Sequence, residues 1–390
     1  MIKSGMADDV FAQFLEQLRR YVRERLVPAE DDTIENNGVP EDILTEMKEM
    51  GLFGVTIAEE YGGSGFSTSQ YITFIKELAW ALPAYRSIIS MNVGMTGSAI
   101  TNNGTQAQKS YWLPRMASGE VITCFGLTEP DSGSDAAALS TSAVRDGDDY
   151  IINGTKRYIS SAPFAQMGMI MARTSTENLP KNAHISAFLV PMDLPGVSLG
   201  KRDKKMGQSG SPICDIIFDN VRVPADALLG GVEGQGFQAA MKSVDNGRLS
   251  VAAASVGYAK RMLDYALSYA MERKAFGETI ANFQLIQAML ADSEAEIYAA
   301  ESMLDDATRR ADAGENVIVK VACTKMFASE MCGRVADRGV QILGGAGYLK
   351  EYLAERFYRD CRIYRIYEGT TQIQQLVIAK RMIRAHKQQT

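Results

Sequence analysis

Histidine and tryptophan are nearly missing from this chain, with two of each among 390 residues. Two histidines cannot build a multi-histidine metal site, and no histidine-based triad is evident, so a metal centre is not expected. Both His184 and His386 read as surface residues. Cysteine is sparse and odd in number, at 124, 214, 323, 332 and 361, with no C-x-x-C spacing. That pattern fits a reduced, cytoplasmic setting rather than a disulfide framework. No apolar run reaches the roughly 18 residues of a membrane span. The stretch Met1–Asp9 lacks a signal-peptide core, and its acidic pair is wrong for a transit peptide. Basic excess is also missing: the net charge is −6, which argues against nucleic acid as a partner. The one basic cluster, Lys201-Arg202-Asp203-Lys204-Lys205, reads as a solvated turn.

What remains is an ordinary globular composition, 46% hydrophobic and 23% charged, in a chain long enough for two or three domains. Three zones differ in period. Residues 1–119 are helical: Phe11, Phe14, Leu15, Leu18 and Val22 recur at three- and four-residue steps. Pro40 and Gly51 bracket one helix there, and Gly104 and Gly119 another. Residues 120–230 carry short apolar runs between turn signals, at 150–156, 167–172, 185–190 and 216–223. Without helices between them, they predict a small antiparallel barrel or sandwich. Residues 231–390 return to long helices over 251–271, 284–311 and 316–343, joined by loops short enough for a bundle. The fold class is α+β, in the order helical, β, helical.

Two stretches have chemical potential. Tyr364–Gln374 sets Glu368 between Ile366-Tyr367 and Gly369. Partial desolvation there raises a carboxyl pKa toward the range useful for a base. Gly369 lets backbone and ligand come close, and Thr370 and Thr371 can cap a helix over 372–385. Taken alone, Glu368 reads better as a solvated acid at a helix start, and the rest of the chain reverses that. The second stretch, Cys124-Phe125-Gly126-Leu127-Thr128-Glu129-Pro130-Asp131-Ser132-Gly133-Ser134-Asp135, leaves an apolar strand for a turn rich in donors. Such turns hold phosphates or planar heterocycles.

The second stretch resembles the first signature of the acyl-CoA dehydrogenase family. Gln341-Ile342-Leu343-Gly344-Gly345-Ala346-Gly347-Tyr348, continuing to Arg359-Asp360, resembles the second. Arg273-Lys274-Ala275-Phe276-Gly277 with Gln284 matches a third element, and Tyr367-Glu368-Gly369-Thr370 follows at the family spacing. The resemblance covers nearly the whole chain. It implies a helical N-terminal domain, a middle β domain, a C-terminal four-helix bundle and FAD as cofactor. It further implies oxidation of an acyl-CoA thioester to the trans-2-enoyl-CoA in fatty-acid or amino-acid breakdown, a homotetramer, and an electron-transfer flavoprotein as partner. Glu368 matches the base that takes the α-proton, while the flavin accepts hydride from the β-carbon.

The remaining assignments also follow from the resemblance. Phe125, Leu127, Thr128, Gly133 and Ser134 line the flavin, Ser134 near phosphate or pantetheine. Tyr158-Ile159-Ser160 stands where the family has Trp-Ile-Thr, which keeps a hydroxyl at 160 but a smaller ring at 158. Arg273, Phe276, Gln284, Gln341, Gly344 and Gly345 hold the FAD of a neighbouring subunit, and Thr370 and Gln372 also face the cofactor. Asp245 and Arg248 lie beside the thioester with Gly369, in a stretch expected to break two helices. Some members keep their base just before this arginine; here that position is Gly247, which leaves Glu368 as the candidate. Tyr85-Arg86-Ser87 resembles the pair with which glutaryl-CoA dehydrogenases hold a distal carboxylate, although Ala79 stands where those enzymes have glutamate. A plain short or branched acyl chain is the leading expectation and a dicarboxylyl tail the alternative. An acyl-CoA oxidase and a silent assembly scaffold are further readings.

Overall fold

The computed structural model describes residues 5–389 apart from 176 and 178–180. Seven helices come first: α1 (Asp8–Tyr21), α2 (Glu30–Glu35), α3 (Glu41–Glu49), α4 (Thr68–Leu78), α5 (Pro83–Ile89), α6 (Ser98–Asn103) and α7 (Gln106–Ala117). Local chemistry sets several ends. Ser67 with Gln70, and Thr105 with Gln108, form reciprocal capping boxes for α4 and α7. Gly51 ends α3 in the left-handed conformation, as its position in the sequence suggests.

A seven-stranded sheet follows: β1 (Thr123–Gly126), β2 (Ser142–Asp146), β3 (Asp149–Ser160), β4 (Met167–Arg173), β5 (Ile185–Pro191), β6 (Val197–Leu199) and β7 (Ile213–Pro224). The strand path is β1-β4-β2-β3-β7-β6, with β5 on β4. It is antiparallel except where β4 runs parallel to β1 and β2. Strands β4 and β5 read as continuous apolar runs because both faces are covered. Ile170, Ala172, Phe188 and Val190 face one core, while Met169, Met171, Ala187 and Leu189 face another against α7 and the next long helix.

That helix is α8 (Gly236–Glu272), about 55 Å long at 1.5 Å per residue. A two-residue hairpin (β8, Lys274–Ala275; β9, Glu278–Thr279) leads to α9 (Gln284–Asp312), α10 (Ile318–Leu343), α11 (Leu353–Cys361) and α12 (Thr371–Gln389). The expected break at Asp245-Asn246-Gly247-Arg248 does not occur, and α8 runs straight through it. Its polar side chains are engaged rather than turned back on the backbone: Arg248 pairs with Asp245 at 2.7 Å, and Asn246 donates to Ser98 Oγ at 2.9 Å. Gly257 has a different role. A Cβ there would lie 2.1 Å from the Lys76 carbonyl, so α4 and α8 can touch only without one.

The first and last helical zones share one core. Leu18, Phe53, Phe74 and Ile89 pack with Ala253, Val256, Leu304 and Phe357. Glu30 on α2 ties them electrostatically, receiving Arg261 of α8 at 2.5 Å and Arg356 of α11. One surface expectation fails and another holds in part, with Lys201, Arg202 and Lys204 exposed. His184 is buried at the start of β5, with Nδ1 2.7 Å from the Ser175 carbonyl. Lys205 is half-buried and donates to the carbonyls of Gln208 (2.9 Å) and Ser211; burial brings its pKa down to about 8. All five cysteines are free thiols. Among the described residues, no helix is long and apolar enough to cross a membrane.

Candidate active site

Glu368 sits in the tight connection between α11 and α12, where it adopts φ +54° and Gly369 φ +85°. Consecutive left-handed residues are uncommon, and a non-glycine one is strained by about 1–3 kcal/mol. Three side chains hold this backbone. Arg248 Nε donates to the Glu368 carbonyl at 3.2 Å. Lys325 Nζ donates to the Gly369 carbonyl at 2.8 Å. Gln374 Nε2 is shared between both carbonyls at 3.1 Å. The Thr370 hydroxyl caps α12 by accepting from Ile373 N–H, whereas Thr371 lies in the first turn and donates to Glu330. Among the described residues, no acceptor engages the Glu368 N–H.

The carboxylate turns toward α8. A methyl group on Gly247 would lie 2.7 Å from Glu368 Oε2 and 3.1 Å from Met95 Sδ. Gly247 is therefore the hole that the carboxylate fills. Burial raises the Glu368 pKa to about 7, and Arg248, Lys325 and Arg86 pull it part of the way back. The same burial brings the Lys325 ammonium down to about 8, with Glu368 acting in the opposite sense. Asp245, also raised by burial, is partly restored by Arg248.

Of the other expected substrate contacts, Arg248, Asp245 and Gly369 gather around Glu368. Arg86 reaches it through Tyr367, donating from Nη2 to the phenolic oxygen at 2.9 Å. Arg86 is buried, and among the described residues its Nε has no partner. Ser87 points elsewhere, its hydroxyl receiving Ser211 Oγ at 3.2 Å. Ser134 lies on an exposed loop outside this cluster.

That loop is anchored from beneath. Glu129 accepts from Ser140 N–H, the Ser140 hydroxyl and Thr141 N–H, and from Lys156 Nζ at 2.7 Å. Both ends of the Glu129–Lys156 pair are buried. Burial pushes Glu129 up, but Lys156 and the hydrogen bonds win and hold it at about 2. Burial takes Lys156 down to about 8 against the pull of Glu129. The Thr128 carbonyl accepts Arg157 N–H at 2.8 Å, which sets Thr128 beside Tyr158-Ile159-Ser160. Tyr158 is exposed and left-handed at φ +61°. Ile159 packs into the sheet core, as Phe125 and Leu127 pack against the neighbouring one.

The remaining expected cofactor residues form a second group. The hairpin carrying Arg273 and Phe276, the start of α9 at Gln284 and the end of α10 at Gln341, Gly344 and Gly345 meet around Ala270, Ile280, Ile342 and Ala354. Arg273, Gln284 and Gln341 are exposed, and the Phe276 ring is 98% exposed at φ +50°. Gln372 is exposed on α12. Sequence reasoning missed Lys325 and Met95, and it gave no role to Gln374 at the end of the Tyr364–Gln374 stretch. Lys325 and Met95 carry no motif, and they reach the site only through the packing of α10 and of the widened helical turns at Ser90–Gly97.

Three family descriptions match the chain in order: "Acyl-CoA dehydrogenase, N-terminal domain" over residues 9–120, "middle domain" over 124–221 and "C-terminal domain" over 234–383. The caffeyl-CoA reductase-Etf complex subunit CarC of Acetobacterium woodii is 40% identical, covering 91% of this chain and 93% of its own. The human mitochondrial short-chain specific acyl-CoA dehydrogenase is 37% identical over 96% and 90%. Among solved structures, butyryl-CoA dehydrogenase from Megasphaera elsdenii superposes with a TM-score of 0.92 at 33% identity, covering 97% and 99%. A glutaryl-CoA dehydrogenase of Mycobacterium smegmatis in complex with FADH2 does so at 0.90 and 29%, covering 97% and 95%.

Proposed function

The chain belongs to the acyl-CoA dehydrogenase family of oxidoreductases, and from that premise we propose that it desaturates a short acyl-CoA between the α- and β-carbons, with Glu368 as the α-proton acceptor. The observation that carries this reading is the Glu368 carboxyl, set against Gly247 with its pKa near 7 and its own N–H unengaged. A base poised near neutrality is in its working range. The α-proton is acidic enough only when the thioester oxygen is stabilised as charge develops on it. The Glu368 N–H, in a residue whose carbonyl is held by Arg248 and Gln374, would donate to that oxygen. The three donors on the 368–369 carbonyls keep base and N–H in fixed relation, which is a positioning task.

The family is FAD-dependent, and the residues here fit that cofactor. Open space lies over Gly133, Gly344 and Gly345, and the Tyr158 and Phe276 rings stand exposed at left-handed backbone. Thr128, Tyr158 and Ser160 would hold the ring end, Ser134 would lie near phosphate or pantetheine, and Arg273, Phe276, Gln284, Gln341 and Gly345 would hold the rest. When bound, FAD supplies the acceptor for the β-hydrogen. The two groups sit on different cores, and the second is exposed, which supports cofactor sharing between subunits of a homotetramer. The Etf named with the Acetobacterium relative supports an electron-transfer flavoprotein as partner. That relative is named as a reductase, and a carboxyl with pKa about 7 suits either direction, since both protonation states are populated at neutral pH.

The test is the flavin absorbance of the purified protein. Butyryl-CoA should bleach it, and Glu368→Gln should retain the flavin while slowing bleaching by at least about 10²–10⁴-fold. Bleaching by the variant at the native rate would overturn the assignment.

A further inference from the structure

The helical segments running back from Met95 to Arg86 and forward from Gly247 along α8 pair in antiparallel fashion. Ser98 meets Asn246, Met95 meets Gly247, and Ser90 meets Ser250 at 3.1 Å between hydroxyl oxygens. Ser250 follows Gly247 by three residues, so it lies on the same face about 4.5 Å further along the helix. The Glu368 carboxylate marks the α-carbon, and Ser90 and Ser250 therefore mark a point a few carbon atoms down the acyl chain. Tyr71 of α4 brings a third hydroxyl toward the same two serines, yet that hydroxyl makes no well-formed hydrogen bond. Arg86 lies one turn beyond Ser90, with its Nε likewise unpartnered. All four residues are buried.

Three hydroxyls carry three protons, and one is used between Ser90 and Ser250. Among the described residues, the Tyr71 O–H and the Arg86 Nε–H are left as buried donors without a partner. Buried donors in excess are costly unless a ligand supplies the acceptor. An apolar tail leaves every one of them unmet.

We propose that Tyr71, Ser90 and Ser250 are specificity-determining residues that recognise a neutral oxygen, a hydroxyl or phenol, on the tail of the acyl group. This deepens the dehydrogenase reading above and rests on it. A neutral oxygen suits the site better than a carboxylate. The charge of Arg86 is already felt by Glu368, and a second carboxylate in the same pocket would repel the first.

The test uses the flavin-loaded enzyme and size-matched thioesters: 3-(4-hydroxyphenyl)propanoyl-CoA against 3-phenylpropanoyl-CoA, and glutaryl-CoA against valeryl-CoA. The readout is the ratio of kcat/KM within each pair. The phenol should be preferred by at least about tenfold, the worth of a hydrogen bond to an otherwise unmet group. Tyr71→Phe and Ser250→Ala should each shrink that ratio toward one. A native ratio near one, or a ratio unmoved by both variants, overturns the proposal. So does a preference confined to glutaryl-CoA, which would assign the donors to a carboxylate. If no thioester in the panel reduces the flavin, the dehydrogenase reading falls and takes this one with it; oxidation without preference removes this one alone.

Discussion

Gly247→Ala separates the needs of the fold from those of the reaction. On the helix itself alanine is favoured, by up to about 1 kcal/mol over glycine. The new methyl, however, would lie 2.7 Å from Glu368 Oε2 and 2.9 Å from Cδ, where ordinary contact begins near 3.4 Å. The obstacle is the end of a flexible side chain, so the fold can yield by moving the carboxylate outward by most of an ångström. A misplacement of that size at a reacting group costs on the order of 10²-fold in rate. The expected outcome is a melting temperature equal to or above the native one, with flavin reduction by butyryl-CoA slowed about a hundredfold in single-turnover stopped flow. Retained flavin absorbance checks that cofactor binding survives. The reasoning is refuted if the variant reduces its flavin at the native rate, or if it loses stability in step with activity.

Proton linkage gives a second expectation. Glu368 binds its proton more tightly folded (about 7) than unfolded (about 4.5), so its stabilising contribution is full below pH 4.5 and is lost as pH rises through 7. Ligand-free stability should fall over that window in the native protein and less so in Glu368→Gln, while flavin reduction should rise through about pH 7; parallel denaturation curves for the two proteins would count against the shifted carboxyl. Glu129→Gln strands a buried ammonium, so it should cost about 3–5 kcal/mol in chemical denaturation and release FAD, whereas Glu129→Leu with Lys156→Met should be milder. Arg273→Ala should weaken both FAD retention and the tetramer; a fully flavin-loaded monomer on size exclusion would contradict the shared site.

Residues whose role follows from local chemistry were legible. Glu368 stands out once its apolar neighbours and Gly369 are taken together with the other motifs, and Gly51 does so through the turn rules. The order helical, β, helical follows from period alone. What was hidden depends on contacts distant in sequence. Lys325 lies on α10, and its link to the Gly369 carbonyl exists only once α10 packs under α12. Asp245-Asn246-Gly247-Arg248 has the composition of a break, yet tertiary partners on Ser98 and the 368 carbonyl keep it helical. His184 reads as polar, but the strand it precedes carries it into the interior.

The clamp on the 368–369 backbone has a consequence for how such a base can evolve. An arginine or lysine bonded to the carboxylate itself would anchor it just as firmly, and would also drive its pKa down and silence it as a base near neutrality. Here the cations grip carbonyl oxygens instead. The carboxylate is thereby anchored without a direct bond to a cation, and Arg248 and Lys325 lower its proton affinity only through space. Substitution of the neutral Gln374 can adjust rigidity alone, whereas substitution of Arg248 or Lys325 changes rigidity and proton affinity together.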